Sequence, residues 1–249
     1  PNTLCLEYKG HADMVRTICT DRTGQYLVSG SDDGTVKIWE VNTARCLKTV
    51  HTGEVVRSVE WSLNAALPLI LVATGKTVWL VNPHVGDILA NSKADSVLKD
   101  PPKSTSHVVA ERVLATVRWS EPTEELYKHG VRLVLDHFKE VAQVTWHGKG
   151  DYFATVMPDG QNRSVLISQV SKRRSQLPFA RSRGLVQCVL FHPTRPFLFV
   201  ATQRHVRIYD LAKQTPLKKL LTNSKWVSSM AVHPAGDNLL VGTYDRKVL

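Results

Sequence analysis

The sequence predicts an all-β fold, a propeller of four-stranded antiparallel blades. Two observations carry that expectation. A valine-led run recurs at Val15, Val56, Val141, Val186 and Val227, at intervals of 41, 85, 45 and 41 residues. Within each unit, short β-branched or apolar runs are bounded by Gly, Pro, Asn and Asp, the pattern of strands joined by tight turns. Three intervals are the length of one blade, and the long one is a blade and an insertion.

The elements follow in order. The first run of each unit ends at a turn: Asp-Arg-Thr-Gly at 21–24, His-Gly-Lys-Gly at 147–150 and His-Pro-Ala-Gly at 233–236. Second strands are expected at Tyr26–Ser29, Tyr152–Val156, Phe197–Ala201 and Leu239–Val241. Third strands are expected at Val36–Val41, Ser164–Ser168 and Val206–Leu211. Fourth strands are expected at Arg45–Val50, Val131–Asp136 and Leu217–Leu221. "LCLEYKG" (4–10) reads as the fourth strand of a blade completed elsewhere. The second blade is interrupted at roughly 84–129, which reads as a poorly ordered polar loop around Asp100-Pro101-Pro102, Lys103-Ser104-Thr105-Ser106 and Glu121-Pro122-Thr123-Glu124-Glu125. "HVVAERVLATVRW" (107–119) inside it reads as a short helix or an added strand. The chain opens on Pro1 and stops in "GTYDRKVL". It is therefore expected to be one propeller domain (1–249), truncated at its C-terminal end. About five blades of seven are expected, because an unclosed propeller exposes strand edges.

Composition bounds the function. Hydrophobic content of 43% suffices for a core. The cysteines, Cys5, Cys19, Cys46 and Cys188, form no CxxC pair, so a zinc or disulfide framework is not expected and a reducing compartment fits. The apolar run Ala65–Ala73 contains Pro68 and is too short to cross a bilayer, so no membrane role is expected. The net charge of +10 is lopsided. Residues 1–159 hold 17 Lys/Arg against 19 Asp/Glu, and residues 160–249 hold 15 against 3. A basic half of this kind suits a polyanion, most often nucleic acid.

The stretch "SGSDDGTVKIWE" (29–40) could be mistaken for catalytic machinery. Asp33-Gly34 lies between two strand-like runs, where a tight hairpin needs positive φ and Asp-Gly supplies it. With Gly10-His11 ahead of the first strand, the residues His11, Ser29, Ser31, Asp33 and Trp39 resemble the WD40 repeat signature. That resemblance implies a buried structural brace in which indole, imidazole, hydroxyl and carboxylate satisfy one another. A Ser-His-Asp nucleophile is not expected, since the hydroxyl is tied up and no oxyanion donors are indicated. His147, His192 and His233 share one register, but equivalent positions in successive blades stand too far apart to ligate one metal. Trp61 and Trp146 also share a register and read as packing residues. No clustered acid–base set is visible, so neither an enzyme nor a cofactor is expected.

The resemblance extends further. "VSGSDDGTVKIWEV" (28–41), "VTWHGKGDYFATV" (144–156), "SKRRSQLPF" (171–179), "FHPTRPFLFVATQRHVRIYDL" (191–211) and "KWVSSMAVHPAGDNLLVGTYD" (225–245) are together similar to the C-terminal WD40-repeat domain of the block-of-proliferation (Bop/Erb) ribosome biogenesis family. The resemblance implies a nuclear, nucleolar and nucleoplasmic scaffold with no small-molecule substrate. It implies a role in maturing the large-subunit (60S) rRNAs, 28S/25S and 5.8S. The implied partners are a pescadillo-type protein and a second WD-repeat protein in a trimeric complex, together with pre-60S particles and their rRNA. For RNA, the residues expected to act are Lys172, Arg173 and Arg174 in a turn, Arg181 and Arg183 in an inter-blade loop, and Arg204, Arg207, Lys213, Lys218 and Lys219 in the next unit. These turns fall on both blade ends and are expected to form a side stripe. With no RNP-type aromatic motif, backbone and shape recognition is expected. The competing class is a WD40 protein–protein scaffold that does not touch RNA.

Overall fold

The computed structural model describes residues 3–103 and 108–249. These residues group into two compact units, 1–101 with 118–137 and 102–117 with 138–249. Ser104, Thr105, Ser106 and His107, part of the expected loop, lie outside the described residues.

In the first unit, β1 (Val15–Thr20), β2 (Tyr26–Ser31), β3 (Thr35–Glu40) and β4 (Arg45–His51) form one antiparallel sheet in chain order. The next sheet begins with β5 (Val56–Trp61), β6 (Ile70–Thr74) and β7 (Thr77–Val81). The chain then leaves the sheet for helix α1 (Ile88–Lys99), and later runs through α2 (Glu111–Leu114), β8 (Val117–Ser120) and α3 (Glu124–Lys128). It returns as β9 (Val131–His137), which pairs with β7, and β8 adds outside β9. Antiparallel neighbours with inner strands buried almost throughout, as in β2 and β6, are what blade strands require.

Within 107–119, read as a short helix or an added strand, lie α2 and most of β8, whereas the flanking stretches expected to be a loop hold α1 and α3. The reason is local. Asp87 caps α1, accepting from the N–H groups of Leu89 (2.9 Å) and Ala90 (3.2 Å), which satisfies donors a helix start leaves open. Asn91, Ala94 and Leu98 are buried, on one face. Residues 4–10 correct a second expectation: they form no strand, and Tyr8 instead donates its hydroxyl to the Val41 carbonyl (2.7 Å).

The second unit holds β10 (Gln143–Trp146), β11 (Tyr152–Val156), β12 (Val165–Gln169) and β13 (Arg174–Gln176) in one sheet. A further sheet comprises β14 (Cys188–Phe191), β15 (Phe197–Ala201), β16 (His205–Asp210) and β17 (Thr215–Leu221). Finally β18 (Val227–Val232) pairs with β19 (Leu239–Thr243), and Val248 returns beside Gly242. The fold is therefore mostly β, in antiparallel sheets most of which have four strands, as the sequence predicts.

Within each unit, apolar faces of successive sheets bury one another. In the first, Val28, Val36 and Ile38 pack with Val56, Ile70 and Val72. In the second, Ala154, Val165 and Ile167 pack with Val189, Leu198 and Val200, and Phe199, Ala201 and Val206 pack with Val227 and Val241. Each buried side chain of this size contributes about 1.5–3 kcal/mol, so such clusters dominate the stability. A polar device repeats beside them. Thr17 accepts from the Val59 N–H (3.1 Å), and Gln143 exchanges two hydrogen bonds with the Val189 backbone (2.7 and 2.8 Å). Both side chains stand two residues after their unit's first valine. Each ties its blade to the first strand of the next.

Gly30 marks one close approach between the first two sheets. A methyl group added there would run into Val56 Cγ1 and Thr17 Cγ2. Gly30→Ala is expected to destabilise the first unit by about 1–3 kcal/mol, the usual cost of overpacking. Urea melts should show a lower midpoint at unchanged slope; an unchanged midpoint would mean that the two sheets separate freely.

Candidate nucleic-acid interface

The first blade holds a polar cluster of short hydrogen bonds. The β1–β2 register places Ser29 opposite Ile18, and the β2–β3 hairpin brings Trp39 opposite Leu27. Trp39 Nε1 donates to Ser29 Oγ (2.8 Å), which also meets His11 Nε2 (2.7 Å). His11 Nδ1 faces Asp33 Oδ2 (2.9 Å). Burial opposes ionisation of Asp33, but donors from the Thr35 hydroxyl, the Ala12 N–H and His11 outweigh it. Its carboxyl therefore lies well below the usual range. Each of these polar groups is thus hydrogen-bonded to another within the cluster.

Four of the five expected brace residues come together: His11, Ser29, Asp33 and Trp39. Ser31 stands apart. Its hydroxyl donates to Asp13 O (3.2 Å) and accepts from the Asp33 N–H (3.1 Å), tying down the turn. Sequence reasoning missed Thr35, whose hydroxyl lies 2.6 Å from Asp33 Oδ1. Threonine two residues after an aspartate is a recognisable Asx-turn signal.

The three register histidines are turn caps. Nδ1 of His147 accepts from the Lys149 N–H, that of His192 from Thr194 and Arg195, and that of His233 from Ala235. His192 Nε2 then donates to Gly236 O of the following blade (3.0 Å). With Nδ1 accepting, only this tautomer fits. Among the described residues, no cluster of three or more His, Cys, Asp or Glu is arranged to hold a metal ion. Trp61 stacks on Tyr26 (6.4 Å) and Trp146 stands edge-on to Phe153 (5.6 Å), both buried.

The basic residues spread over the second unit. Lys172 and Arg173 occupy the β12–β13 turn, and Arg174 opens β13. Lys213 lies in the equivalent β16–β17 turn. Arg181 and Arg183 are exposed in the connection from β13 to β14, and Arg204 in the β15–β16 turn. Antiparallel topology puts the first group at one end of the sheets and the second at the other. Arg207, Lys218 and Lys219 lie on the strands between, with Arg207 directly opposite Lys219. Nearby His205 is lowered by burial and then by Lys219, Arg207 and Arg204, a sign of a positive local field. The stretch can hold anions along its side, and it offers no acid–base pair for chemistry.

Two comparisons bear on this arrangement. The family model described as WD domain, G-beta repeat, matches residues 2–40 and 214–249. The chain is 60% identical over 251 residues to a protein named ribosome biogenesis protein BOP1 homolog from Culex quinquefasciatus. It is 61% identical over 249 residues to the namesake from Aedes aegypti, and 57% to that from Anopheles gambiae. Each alignment covers all of this chain and 29% of the relative, so the chain spans under a third of the curated relatives it matches.

Proposed function

From a chain that carries WD40 repeats and matches the block-of-proliferation ribosome biogenesis proteins along its whole length, we propose a non-catalytic scaffold of large-subunit ribosome assembly. It supports maturation of the 28S/25S and 5.8S rRNAs in the nucleolus and nucleoplasm. Its blades hold assembly factors, a pescadillo-type protein and a second WD-repeat protein, and its basic half binds pre-ribosomal RNA on pre-60S particles.

One observation carries the RNA reading: the charge of the second unit is concentrated on one sign, and several of its cations make no ion pair. Residues 160–249 hold 15 Lys/Arg against 3 Asp/Glu. Among the described residues, Arg181, Arg204, Lys213 and Lys219 make no ion pair. Cations held without counter-charges attract polyphosphate and release its counterions on binding. The alternative, a WD40 scaffold that meets only protein, is favoured by the braced blade, which makes a rigid platform.

Reversing Lys172, Arg173 and Arg174 to Glu is expected to weaken RNA binding more than ten-fold. The slope of log K against log salt should fall by roughly 0.7–0.9 for each phosphate that the protein no longer neutralises. Fluorescence anisotropy across a salt series measures both. An unchanged slope would place the RNA elsewhere; no binding by the parent protein would favour the protein-only scaffold.

A further inference from the structure

A cleft of about 780 Å³ lies in the second unit, walled by Arg112, Arg181, Arg183 and Arg207 and by the aromatic pair Phe179 and Tyr209. No carboxylate lines it among the described residues. Arg112 comes from α2, in the interrupted stretch of the second blade. Its Nη2 donates to the carbonyls of Asn162 and Ala180 (both 3.0 Å), which fixes the guanidinium at one wall. Arg181 and Arg183 are exposed on the same loop that Ala180 belongs to, and neither makes an ion pair among the described residues. Arg207 is the deepest of the four. Its Nε is buried and, among the described residues, has no hydrogen-bond partner. Its cross-strand neighbour is Lys219, a like charge. A buried N–H left open and two cations directly opposed are both unfavourable. An anion beside Arg207 in the cleft offsets the opposed cations.

Phe179 lies nearly flat on Tyr209, with ring centres 4.7 Å apart and planes at 24°. Its place is a feature of the repeat: it precedes Val186 by the same seven residues that separate Tyr8 from Val15. Tyr8 stands edge-on to Trp39 instead, at 86°. Both rings of the later pair are half-buried, which leaves a planar apolar surface among the arginines. A guanidinium grips a phosphate through two parallel N–H donors, and an aromatic face accepts any base.

We propose that this cleft binds a single nucleic-acid strand. Arg181, Arg183 and Arg207 take successive phosphates, and one base lies against the Phe179–Tyr209 pair. A phosphodiester chain supplies what the cleft has room for, a regular series of anions each beside a planar ring. An acidic peptide supplies the anions without the ring. A duplex carries its phosphates on the outside of a wide cylinder and cannot reach Arg207. The inference rests on the RNA reading above and makes it specific: the strand is single, and Arg112 of the interrupted blade borders its path.

The test uses the intact protein with a short fluorescein-labelled oligouridine, an RNA duplex of equal length, and a glutamate-rich peptide as competitor. Arg181→Gln with Arg183→Gln should weaken oligouridine binding about ten-fold and lower the salt slope by roughly 1.4, at about 0.7 per neutralised phosphate of a single strand. Phe179→Leu should weaken it by a similar factor at an unchanged slope, because stacking releases no counterions. Arg207→Gln should weaken it too, compared only if its melting temperature matches the parent's. Duplex binding should be unmoved by all three. If these variants bind oligouridine like the parent while the triple reversal at 172–174 loses it, the cleft is not the site and the RNA reading stands. If the parent shows no salt-dependent RNA binding, that reading falls as well. If the peptide binds the parent more tightly than oligouridine does and is lost with Arg181 and Arg183, the occupant is an acidic protein segment and the proposal is overturned.

Discussion

Trp39→Ala is expected to lower the stability of the first unit by about 3–5 kcal/mol, the range for emptying a buried aromatic site. The side chain is 1% exposed, with Tyr8 edge-on against its ring and Ser29 Oγ on its N–H. Truncation removes the packing and also the donor that positions Ser29 for His11. Trp39→Phe separates the two effects: it keeps most of the packing and should cost only about 1 kcal/mol for the missing hydrogen bond beyond any cavity. Ser31→Ala should cost less than either, since Ser31 holds the turn and not the ring. Chemical denaturation of each variant checks the order. Equal losses for Trp39→Ala and Ser31→Ala would mean that the network does not brace the blade.

The second large effect is expected at Asp95. This carboxylate on α1 meets Arg132 Nε (2.7 Å), His84 Nε2 (2.8 Å) and Asn82 Nδ2 (2.7 Å), and so pins the helix to β9. Arg132 is buried, with Tyr127 beneath its guanidinium at 3.8 Å. Asp95→Ala strands that cation without a counter-charge, which costs about 3–5 kcal/mol at buried pairs and falls toward the low end here, where Asp95 keeps some exposure. Hydrogen exchange should then speed up over Ile88–Lys99 and little in β1–β4. The same pair dictates a pH dependence. Burial raises the Asp95 pKa, but Arg132, His84 and Asn82 together outweigh it and hold it at about 2. An unfolded aspartate titrates near 3.9. The stabilisation is therefore complete above about pH 4 and is lost as pH falls through about 2, on the order of 2 kcal/mol in all. Protection of α1 that is flat over that range would contradict the pairing.

Much of this is legible in the residues because a repeat reports the same physics several times. The five valine-led starts, the Asp33-Gly34 hairpin and the histidine register each follow from a period and a turn rule, and the strands Tyr152–Val156 and Phe197–Ala201 fall where the runs place them. Helix α1 is harder to read. Its buried face is Asn91, Ala94 and Leu98, which is barely apolar, and its anchor is an ion pair to an arginine well over thirty residues on. Residues 4–10 alternate like a strand, yet Tyr8 serves as a cap on Trp39. Among the basic residues, charge alone gathers a stripe; only the sheet pairing and loop geometry separate the turn at 172–173 from Arg207, whose Nε is buried. Arg112 carries no signal at all, because the chain brings it beside Ala180 only through the fold.

RNA recognition by the second unit is best tested by crosslinking RNA to the protein in cells with ultraviolet light, purifying with and without RNase, and mapping the crosslinked peptides and RNA. Large-subunit precursor RNA should be joined to peptides within residues 160–249, including the 177–187 loop, with none in β1–β4. Crosslinks confined to the first unit, or assembly factors that stay bound after RNase with no crosslinked RNA, would contradict it.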